Sequence, residues 1–205
     1  MEIKHITTDK FSFLTFENVF DEKELSYIWK EAIFLCDENK LKTPDETSSS
    51  KSSDKLSFLK SNRGIFINEC YNSNLSNYLT IYKKFLTSIT KDKEKLIHKD
   101  YNINLFFNTN YDYTLFSYYE NGDYYLSHHD SSCYTYIFWL FEDPKKFKGG
   151  DLIFDDVNYK IDIKNNMSVL FPSWARHSVS EVIMDEKNEV CSGKGRFAFS
   201  TFFIM

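Results

Sequence analysis

The feature that most constrains the fold is a succession of short aromatic and β-branched segments in the C-terminal half of the chain. From residue 101 onward, runs such as YTLFSYY, YTYIFWLF, MSVLF and RFAFSTFFI alternate with clusters of Asn, Gly, Asp and Lys. Segments of this length and composition are typical of strands, and their close spacing favours a sandwich or barrel. With 20 Phe and 14 Tyr among 205 residues, we expect a core rich in aromatic rings.

Helical signals dominate the first hundred residues. Asp21 and Glu24 form a D-x-x-E start signal, in which a short acceptor and a following acid satisfy free helix N–H groups. Apolar residues recur behind this signal at three- and four-residue steps, and they do so again within 75–90. Shorter runs at 11–20 and 57–70 are typical of strands.

These signals predict an α+β protein with a single domain over residues 1–205. Its N-terminal part, about 1–100, would supply helices that pack on one sheet. Its C-terminal part, about 101–205, would form a β-sandwich or jelly roll. Between the two predicted helices, the polar stretch DENKLKTPDETSSSKSSDKL begins a loop at 37–60, which is either a surface insertion or a lid over a site.

Charge and cysteine usage disfavour several classes of protein. The net charge is −5 and no basic stripe stands out, so we expect no nucleic-acid partner. The four cysteines form no C-x-x-C pair, and free thiols in a reducing compartment are the simplest interpretation. No uninterrupted apolar run of membrane-spanning length and no signal peptide are apparent. We expect a cytoplasmic protein, and the sequence leaves its oligomeric state open.

His128, Asp130 and His177 are the candidates for chemistry. Residues two apart on a strand share a face, so the imidazole of His128 and the carboxylate of Asp130 should converge, while His129 should point away. His177 follows a predicted strand, MSVLFP, and a turn. Two histidines and one carboxylate on one face of Fe(II) leave the opposite positions open for O2 and a co-substrate. The pair H-x-D alone is a common pattern, and ordinary core or surface roles are the alternative.

A series of motifs surrounds these three residues in a fixed order. First comes Tyr119-x-x-Gly122-x-x-Tyr125, which leads into H-x-D, and then FKGGDL at 147–152. VLFPS precedes the second histidine, and Gly-Arg-Phe at 195–197 opens the last predicted strand. In this order the motifs resemble the 2-oxoglutarate-dependent Fe(II) dioxygenases, and among them the prolyl 4-hydroxylase-like group. The resemblance covers about residues 110–205.

The resemblance implies a double-stranded β-helix (jelly-roll) core and an iron held by His128, Asp130 and His177. It also implies that Arg196 binds the distal carboxylate of 2-oxoglutarate, which a planar guanidinium can hold through two N–H groups. The alternative is a surface arginine in the polar turn SGKGR. Arg196 lies nineteen positions after His177, a longer spacing than the family usually has, and the extra residues predict a hairpin loop.

Further site residues follow from the same resemblance. Trp139 stands where many family members have a tyrosine that contacts the co-substrate, so Tyr119 and Thr135 are the candidates for a second contact to it. Tyr125 and Trp139 are the candidates for contacts to the substrate. A packed core tyrosine is the alternative for Tyr125.

The implied activity is hydroxylation with release of succinate and CO2, with Fe(II), 2-oxoglutarate and O2 as cofactors and ascorbate as an optional reductant. The first implied substrate is a proline in a peptide or protein, hydroxylated at its 4-position. Two alternatives stay open at this point. One is the same chemistry on another amino acid, a small molecule or a nucleobase, and the other is a non-catalytic jelly-roll binding protein.

Overall fold

A computed structural model describes residues 1–47, 58–71, 75–91, 101–185 and 190–205, without the side chains of 101 and 102. Its helices are α1 (Glu22–Leu35), α2 (Ile67–Cys70), α3 (Asn77–Lys91) and α4 (Tyr101–Phe106), with a 3-10 turn at Asp155–Val157. Its strands are β1 (Glu2–Thr7), β2 (Ser12–Glu17), β3 (Arg63–Phe66), β4 (Tyr111–Tyr119), β5 (Tyr125–His128), β6 (Tyr134–Leu140), β7 (Lys148–Gly149), β8 (Leu152–Phe154), β9 (Tyr159–Ile161), β10 (Met167–Pro172), β11 (His177–Val179), β12 (Val182–Ile183) and β13 (Arg196–Ile204).

The strands form two antiparallel sheets with a core between them. The large sheet has the order β1-β2-β10-β6-β13-β4-β3, and the small sheet has the order β5-β11-β8-β9. A two-stranded pair, β12-β7, lies beside them. Apolar side chains of both sheets meet in one buried cluster, among them Val169 and Ala198 of the large sheet and Leu152 and Phe154 of the small sheet. The predicted jelly-roll core is confirmed.

The other face of the large sheet packs against α1 and α3. Alternate residues of β13, Phe197, Phe199 and Phe203, join a second buried cluster together with apolar residues of both helices. Because side chains alternate across a strand, the intervening residues of β13 face the small sheet. The predicted packing of N-terminal helices on one sheet is therefore confirmed.

Helix α1 begins where its local sequence predicts. Asp21 caps it, since its carboxylate accepts from the backbone N–H of Glu24 at 2.8 Å and the Glu24 side chain accepts from the N–H of Asp21 at 3.2 Å. The buried Glu31 then joins α1 to α3: its carboxylate accepts from the Ser76 hydroxyl at 2.7 Å and from the N–H of Tyr78 at 2.9 Å. An acid inside the apolar face of α1 thus satisfies donors at the start of α3.

Two details differ from the sequence prediction. The N-terminal hundred residues supply more than helices, since β1, β2 and β3 are all strands of the large sheet. Tyr101–Phe106, where strands were expected to begin, is helical. Ile103 and Phe106 are both buried, and a spacing of three places them on one side of a helix.

The predicted loop at 37–60 is described only at its two ends. At one end, Lys42 forms an isolated antiparallel bridge with Gly64, and at the other, Lys60 forms one with Tyr125. The residues between, 48–57, lie outside the described ranges, so a lid role stays a prediction. None of the described helices is long and apolar enough to cross a membrane. All four cysteines are free thiols, as predicted.

Candidate iron and co-substrate site

His128 and His177 lie opposite each other on neighbouring strands of the small sheet. They are direct partners in the antiparallel pairing of β5 with β11, and their ring centroids are 4.3 Å apart. Nδ1 of His128 lies 2.8 Å from the carbonyl of Leu126, and Nδ1 of His177 lies 2.8 Å from the carbonyl of Ala175. A carbonyl only accepts, so each Nδ1 carries the proton and each Nε2 keeps a free lone pair.

Asp130 completes a set of three converging ligands. Its carboxylate oxygens lie 3.7 Å from Nε2 of His128 and 3.6 Å from Nε2 of His177. One ligand atom from each of the three residues can be chosen so that all lie within 4.8 Å of one another. The side chains of both histidines are almost fully buried and that of Asp130 is 13% exposed, so the cluster opens on one side only.

The reason predicted for the position of Asp130 is wrong, although its position is the expected one. Strand β5 ends at His128, so Asp130 does not share a strand face with it. Instead, the backbone N–H of Asp130 donates to the carbonyl of Ser173 at 3.0 Å, in the turn that precedes His177. The Thr135 hydroxyl donates to Oδ2 of Asp130 at 2.6 Å. Contacts from two other segments therefore aim this carboxylate, and His129 is exposed beside it.

The surroundings of His128 keep its imidazole in the neutral form that binds a metal. Burial, reinforced by the neighbouring His177, lowers the pKa of His128 to about 3. The imidazole is therefore neutral at physiological pH, which is the form that binds a metal. The ring of Tyr125 stacks on it with centroids 3.5 Å apart and planes 11° apart, which further shields it from water.

A chain of hydroxyls supports Asp130 from behind. Thr135 Oγ1 lies 2.8 Å from Oγ of Ser173, which in turn lies 2.7 Å from Oγ of Ser132. Ser173 is fully buried, and its N–H donates to the carbonyl of Cys133. Partners of this kind orient a ligating carboxylate and tune its basicity.

Arg196 lies deeper in the same cavity. It is the first residue of β13, it pairs with Tyr119 across the strands, and it is 1% exposed. Its Cζ lies 4.5 Å from the centre of the Tyr119 ring. Its Nε and Nη1 have no hydrogen-bond partner among the described residues. A buried guanidinium stays charged, so these donors require an anion that the described chain does not supply.

The Gly149-Gly150 pair makes room for this arginine. Both glycines have positive φ, 68° and 69°, which other residues rarely adopt. A Cβ on Gly150 would lie 3.0 Å from Cδ of Arg196, and one on Gly149 would lie 2.0 Å from the carbonyl of Glu181. The G-G-D motif therefore allows the backbone to approach both the arginine and β12.

The remaining predicted residues divide into two groups. Tyr119, Tyr125 and Thr135 line the cavity together with the three ligands and Arg196. Trp139 does not: it is fully buried and absent from the cavity wall, with its ring centre 5.9 Å from Cζ of Arg196. Trp139 belongs to the buried cluster between the sheets, and its predicted contact with substrate stays a prediction. The co-substrate contacts predicted for Tyr119 and Thr135 stay predictions.

Among the wall residues that the sequence did not predict are a buried lysine and a buried asparagine. Lys60 and Asn62 line the cavity and are 5% and 1% exposed. They lie more than sixty positions before the first ligand, beside a polar loop, in a segment without a recognisable motif. The pairing of this segment with β5, and of the adjoining β3 with β4, brings them to the site.

The site as a whole fits one class of protein. Two neutral imidazoles and one carboxylate on one face, with an open side, are the donor set of mononuclear non-haem iron oxygenases. The unpaired guanidinium beyond them fits an anionic co-substrate that also reaches the metal. The residues present therefore fit Fe(II) and 2-oxoglutarate.

Comparison with known proteins gives a family match over part of the chain. The model of the 2OG-Fe(II) oxygenase superfamily matches residues 114–203, a span that includes the three ligands and Arg196. Residues 114–203 are thus a 2OG-Fe(II) oxygenase domain, which uses Fe(II), 2-oxoglutarate and O2, and the resemblance found in the sequence is confirmed. Among curated protein sequences, none matches this chain.

Solved structures share the fold at low identity. A prolyl-4-hydroxylase from Pseudomonas putida is 16% identical with a TM-score of 0.61, and the match covers 94% of this chain and 91% of that one. A prolyl hydroxylase from Trichoplax adhaerens, in complex with a peptide fragment of the oxygen degradation domain of hypoxia inducible factor, is 14% identical with a TM-score of 0.61, covering 94% and 83%. OsALKBH1 is 13% identical with a TM-score of 0.58, covering 94% and 97%. These similarities establish the fold and leave the substrate open.

Proposed function

We propose that this 2-oxoglutarate-dependent oxygenase hydroxylates a proline, at its 4-position, in a peptide or protein. The observation that carries the oxygenase part is the convergence of His128, Asp130 and His177 in front of Arg196, whose Nε and Nη1 have no hydrogen-bond partner among the described residues. The prolyl part is supported by the ordered motifs around the triad and by prolyl hydroxylases among the similar structures, one of which is in complex with a peptide.

Different residues of the site would bind the iron and the 2-oxoglutarate. His128, Asp130 and His177 would hold the iron, and the unpaired N–H groups of Arg196 would bind the distal carboxylate of 2-oxoglutarate. When bound, iron and 2-oxoglutarate supply the oxidation of a substrate C–H bond by O2, with succinate and CO2 as co-products. Thr135 keeps the carboxylate of Asp130 oriented through its hydrogen bond.

The cavity walls protect this chemistry from water. Apolar side chains of both sheets, Ile137, Leu152 and Val179, line the space beside the ligands. Tyr125 covers one side of His128 and borders the open side of the site. A substrate residue would therefore approach past the Tyr125 ring, which is well suited to pack against a pyrrolidine.

Peptide turnover tests the proposal. Purified protein with Fe(II), ascorbate and 2-oxoglutarate is incubated with proline-containing peptides, and succinate is measured beside the peptide mass. We expect succinate in step with the gain of one oxygen atom on proline. Asp130→Asn is the matched inactive control, because it changes one ligand and keeps its size.

Two results would contradict the proposal in different ways. Succinate formation with no oxygen gained by any proline peptide would leave the oxygenase and reject proline as the substrate. Failure of the protein to bind Fe(II) and 2-oxoglutarate at all would instead favour a non-catalytic binding protein. Oxidation of a nucleobase is disfavoured by the net charge of −5, since nucleic-acid binders usually carry a basic surface.

A further inference from the structure

Lys60 is a buried cation in the cavity, and none of the binding roles described above involves it. The residue is 5% exposed and lines the same cavity as the three iron ligands. Among the described residues, no carboxylate forms an ion pair with its ammonium group and no acceptor forms a hydrogen bond with it. A buried ammonium without a partner is costly in free energy, so we expect an anion from a ligand to pair with it.

The backbone holds Lys60 firmly at this position. Its segment pairs with the open edge of β5: the N–H of Leu126 donates to the carbonyl of Leu59 at 2.7 Å, and the N–H of Ser61 donates to the carbonyl of Tyr124 at 3.2 Å. The Ser61 hydroxyl also accepts from the N–H of Tyr124 at 3.0 Å. The ammonium group lies 5.8 Å from the centre of the Tyr125 ring, beside the open side of the site.

The surroundings of Lys60 offer little compensation for its charge. Burial lowers the pKa of Lys60 to about 8, and the carboxylate of Asp130 is the charge that opposes this shift. Asp130 lies beyond ion-pair distance and is itself an iron ligand. A bound divalent cation would take up that negative charge and repel the ammonium. Lys60 would then depend still more on an anion from a ligand.

The two cations of the cavity act on different regions. The charge of Lys60 acts on His128 and Asp130, at the metal end. The charge of Arg196 acts on Tyr119 and Asp151, at the deep end. Arg196 matches the distal carboxylate of 2-oxoglutarate and the metal would bind the other one, which leaves an anionic group of the primary substrate for Lys60 at the metal end.

Asn62 adds a second unpaired group to the same wall. It lies two positions after Lys60, lines the cavity and is 1% exposed, and its Oδ1 has no hydrogen-bond partner among the described residues. This wall therefore presents a cation and a hydrogen-bond acceptor. Together they match a carboxylate and an N–H, which an acidic residue of a peptide carries side by side.

We propose that Lys60 is a specificity-determining residue that binds the carboxylate of an acidic residue directly beside the target residue of the substrate. This inference rests on the proposed function, and it narrows the substrate class to peptides with Asp or Glu next to the hydroxylated position. Asn62 accepts a hydrogen bond from the peptide N–H of the same segment.

Binding to protein loaded with Mn(II) and 2-oxoglutarate tests Lys60 without turnover. The probes are peptides with Glu or Gln directly before or directly after a central proline, and the same peptides with alanine in place of proline. Calorimetry gives each Kd for the wild type, Lys60→Met, Lys60→Arg and the exposed-lysine control Lys84→Met on α3. The Kd of 2-oxoglutarate and the melting temperature are measured for every variant.

We expect the wild type to bind one Glu peptide about tenfold more tightly than its Gln counterpart, the effect of one charge-assisted hydrogen bond. Lys60→Met should remove this preference, Lys60→Arg should keep most of it, and Lys84→Met should keep all of it. The Kd of 2-oxoglutarate should change less than about twofold in each variant, far below the tenfold of a lost charged contact.

Several outcomes overturn the inference. In the wild type, these are the absence of a Glu preference at either position and the absence of any peptide binding. In Lys60→Met, an intact Glu preference would also overturn it. A tenfold weaker 2-oxoglutarate affinity in Lys60→Met would assign the lysine to the co-substrate instead. The alanine peptides separate this inference from the prolyl proposal. A Glu preference that depends on Lys60 in peptides whose proline is not oxidised supports Lys60 and rejects proline hydroxylation.

Discussion

The two faces of strands β6 and β13 are built from neighbouring residues and serve opposite purposes. Toward the helices, the strands present large side chains, and Phe138 and Phe199 are fully buried in one aromatic cluster. Toward the small sheet they present Thr135, Arg196 and Ser200, which leave a cavity. One face fills space and the other keeps it open.

The unpaired polar groups on the two faces differ in kind. On the helix face they are neutral hydroxyls, such as those of Tyr78 and Tyr136, carried on rings whose burial contributes to stability. On the cavity side they include the guanidinium of Arg196. Burying a charge without a partner costs far more than burying a hydroxyl. In this fold, a buried charged group with unpaired donors therefore marks the place of a ligand, and an unpaired neutral hydroxyl does not.

The largest effect should come from a metal ligand on the cavity side. Replacing even an outer partner of a ligand lowers metal affinity about 10–100-fold, so Asp130→Asn should lower Fe(II) affinity by about 100-fold or more and abolish succinate formation. Calorimetric titration with Mn(II) and a succinate assay measure both. The exposed Asp9→Asn is the control, and an Asp130→Asn protein with unchanged metal affinity would contradict the assignment of the site.

The next effect should appear on the helix face and leave the site intact. Phe199→Ala removes a ring that stacks on Tyr78 with centroids 4.1 Å apart, and we expect it to lower the free energy of unfolding by about 3–5 kcal/mol. Ser200→Ala, one position along on the cavity face, should change it by less than about 0.5 kcal/mol. Urea denaturation measures both. Equal destabilisation by the two variants would show that the faces do not differ as described.

A smaller effect is expected deeper in the cavity. Arg196→Met should raise the KM for 2-oxoglutarate about 10–100-fold, because hydrogen bonds to a charged group contribute about 1.5–3 kcal/mol. The Kd of Mn(II) should stay unchanged, since the arginine does not touch the ligands. Arg196→Lys should give an intermediate KM, because an ammonium cannot bind a carboxylate through two parallel N–H groups. A normal KM in Arg196→Met would place the co-substrate elsewhere.

The smallest effect concerns support for Asp130. Thr135→Val keeps the shape of the side chain and removes the hydroxyl that donates to the carboxylate at 2.6 Å, so Fe(II) affinity should fall about tenfold. Thr201→Val is the matched control, because the Thr201 hydroxyl bonds to that of Thr114, away from the ligands. The comparison fails if both variants bind Mn(II) equally well.

Local signals were sufficient for much of this fold. The start of α1 follows from Asp21 and Glu24, because a capping box acts within four residues. The strands from β4 onward follow from the aromatic and β-branched composition of their segments. Arg196 is buried at the start of β13 although the loop before it is unusually long. A loop changes length without changing the alternation of the strand after it, so Arg196 still faces the cavity. Tyr101–Phe106 shows where local signals are insufficient. Six residues are too few for the spacing of apolar side chains to distinguish a short helix from a strand.

By itself, the sequence predicted the three candidate iron ligands and the arginine that the structure brings into one cavity, since ordered motifs surround each of them. Only the tertiary structure decided how Asp130 is aimed, because its orientation depends on Ser173 and Thr135 rather than on its own strand. The same holds for Lys60, which reaches the cavity through its pairing with β5. Contacts between segments far apart in the chain depend on the packing of the whole sheet, and no local pattern records them.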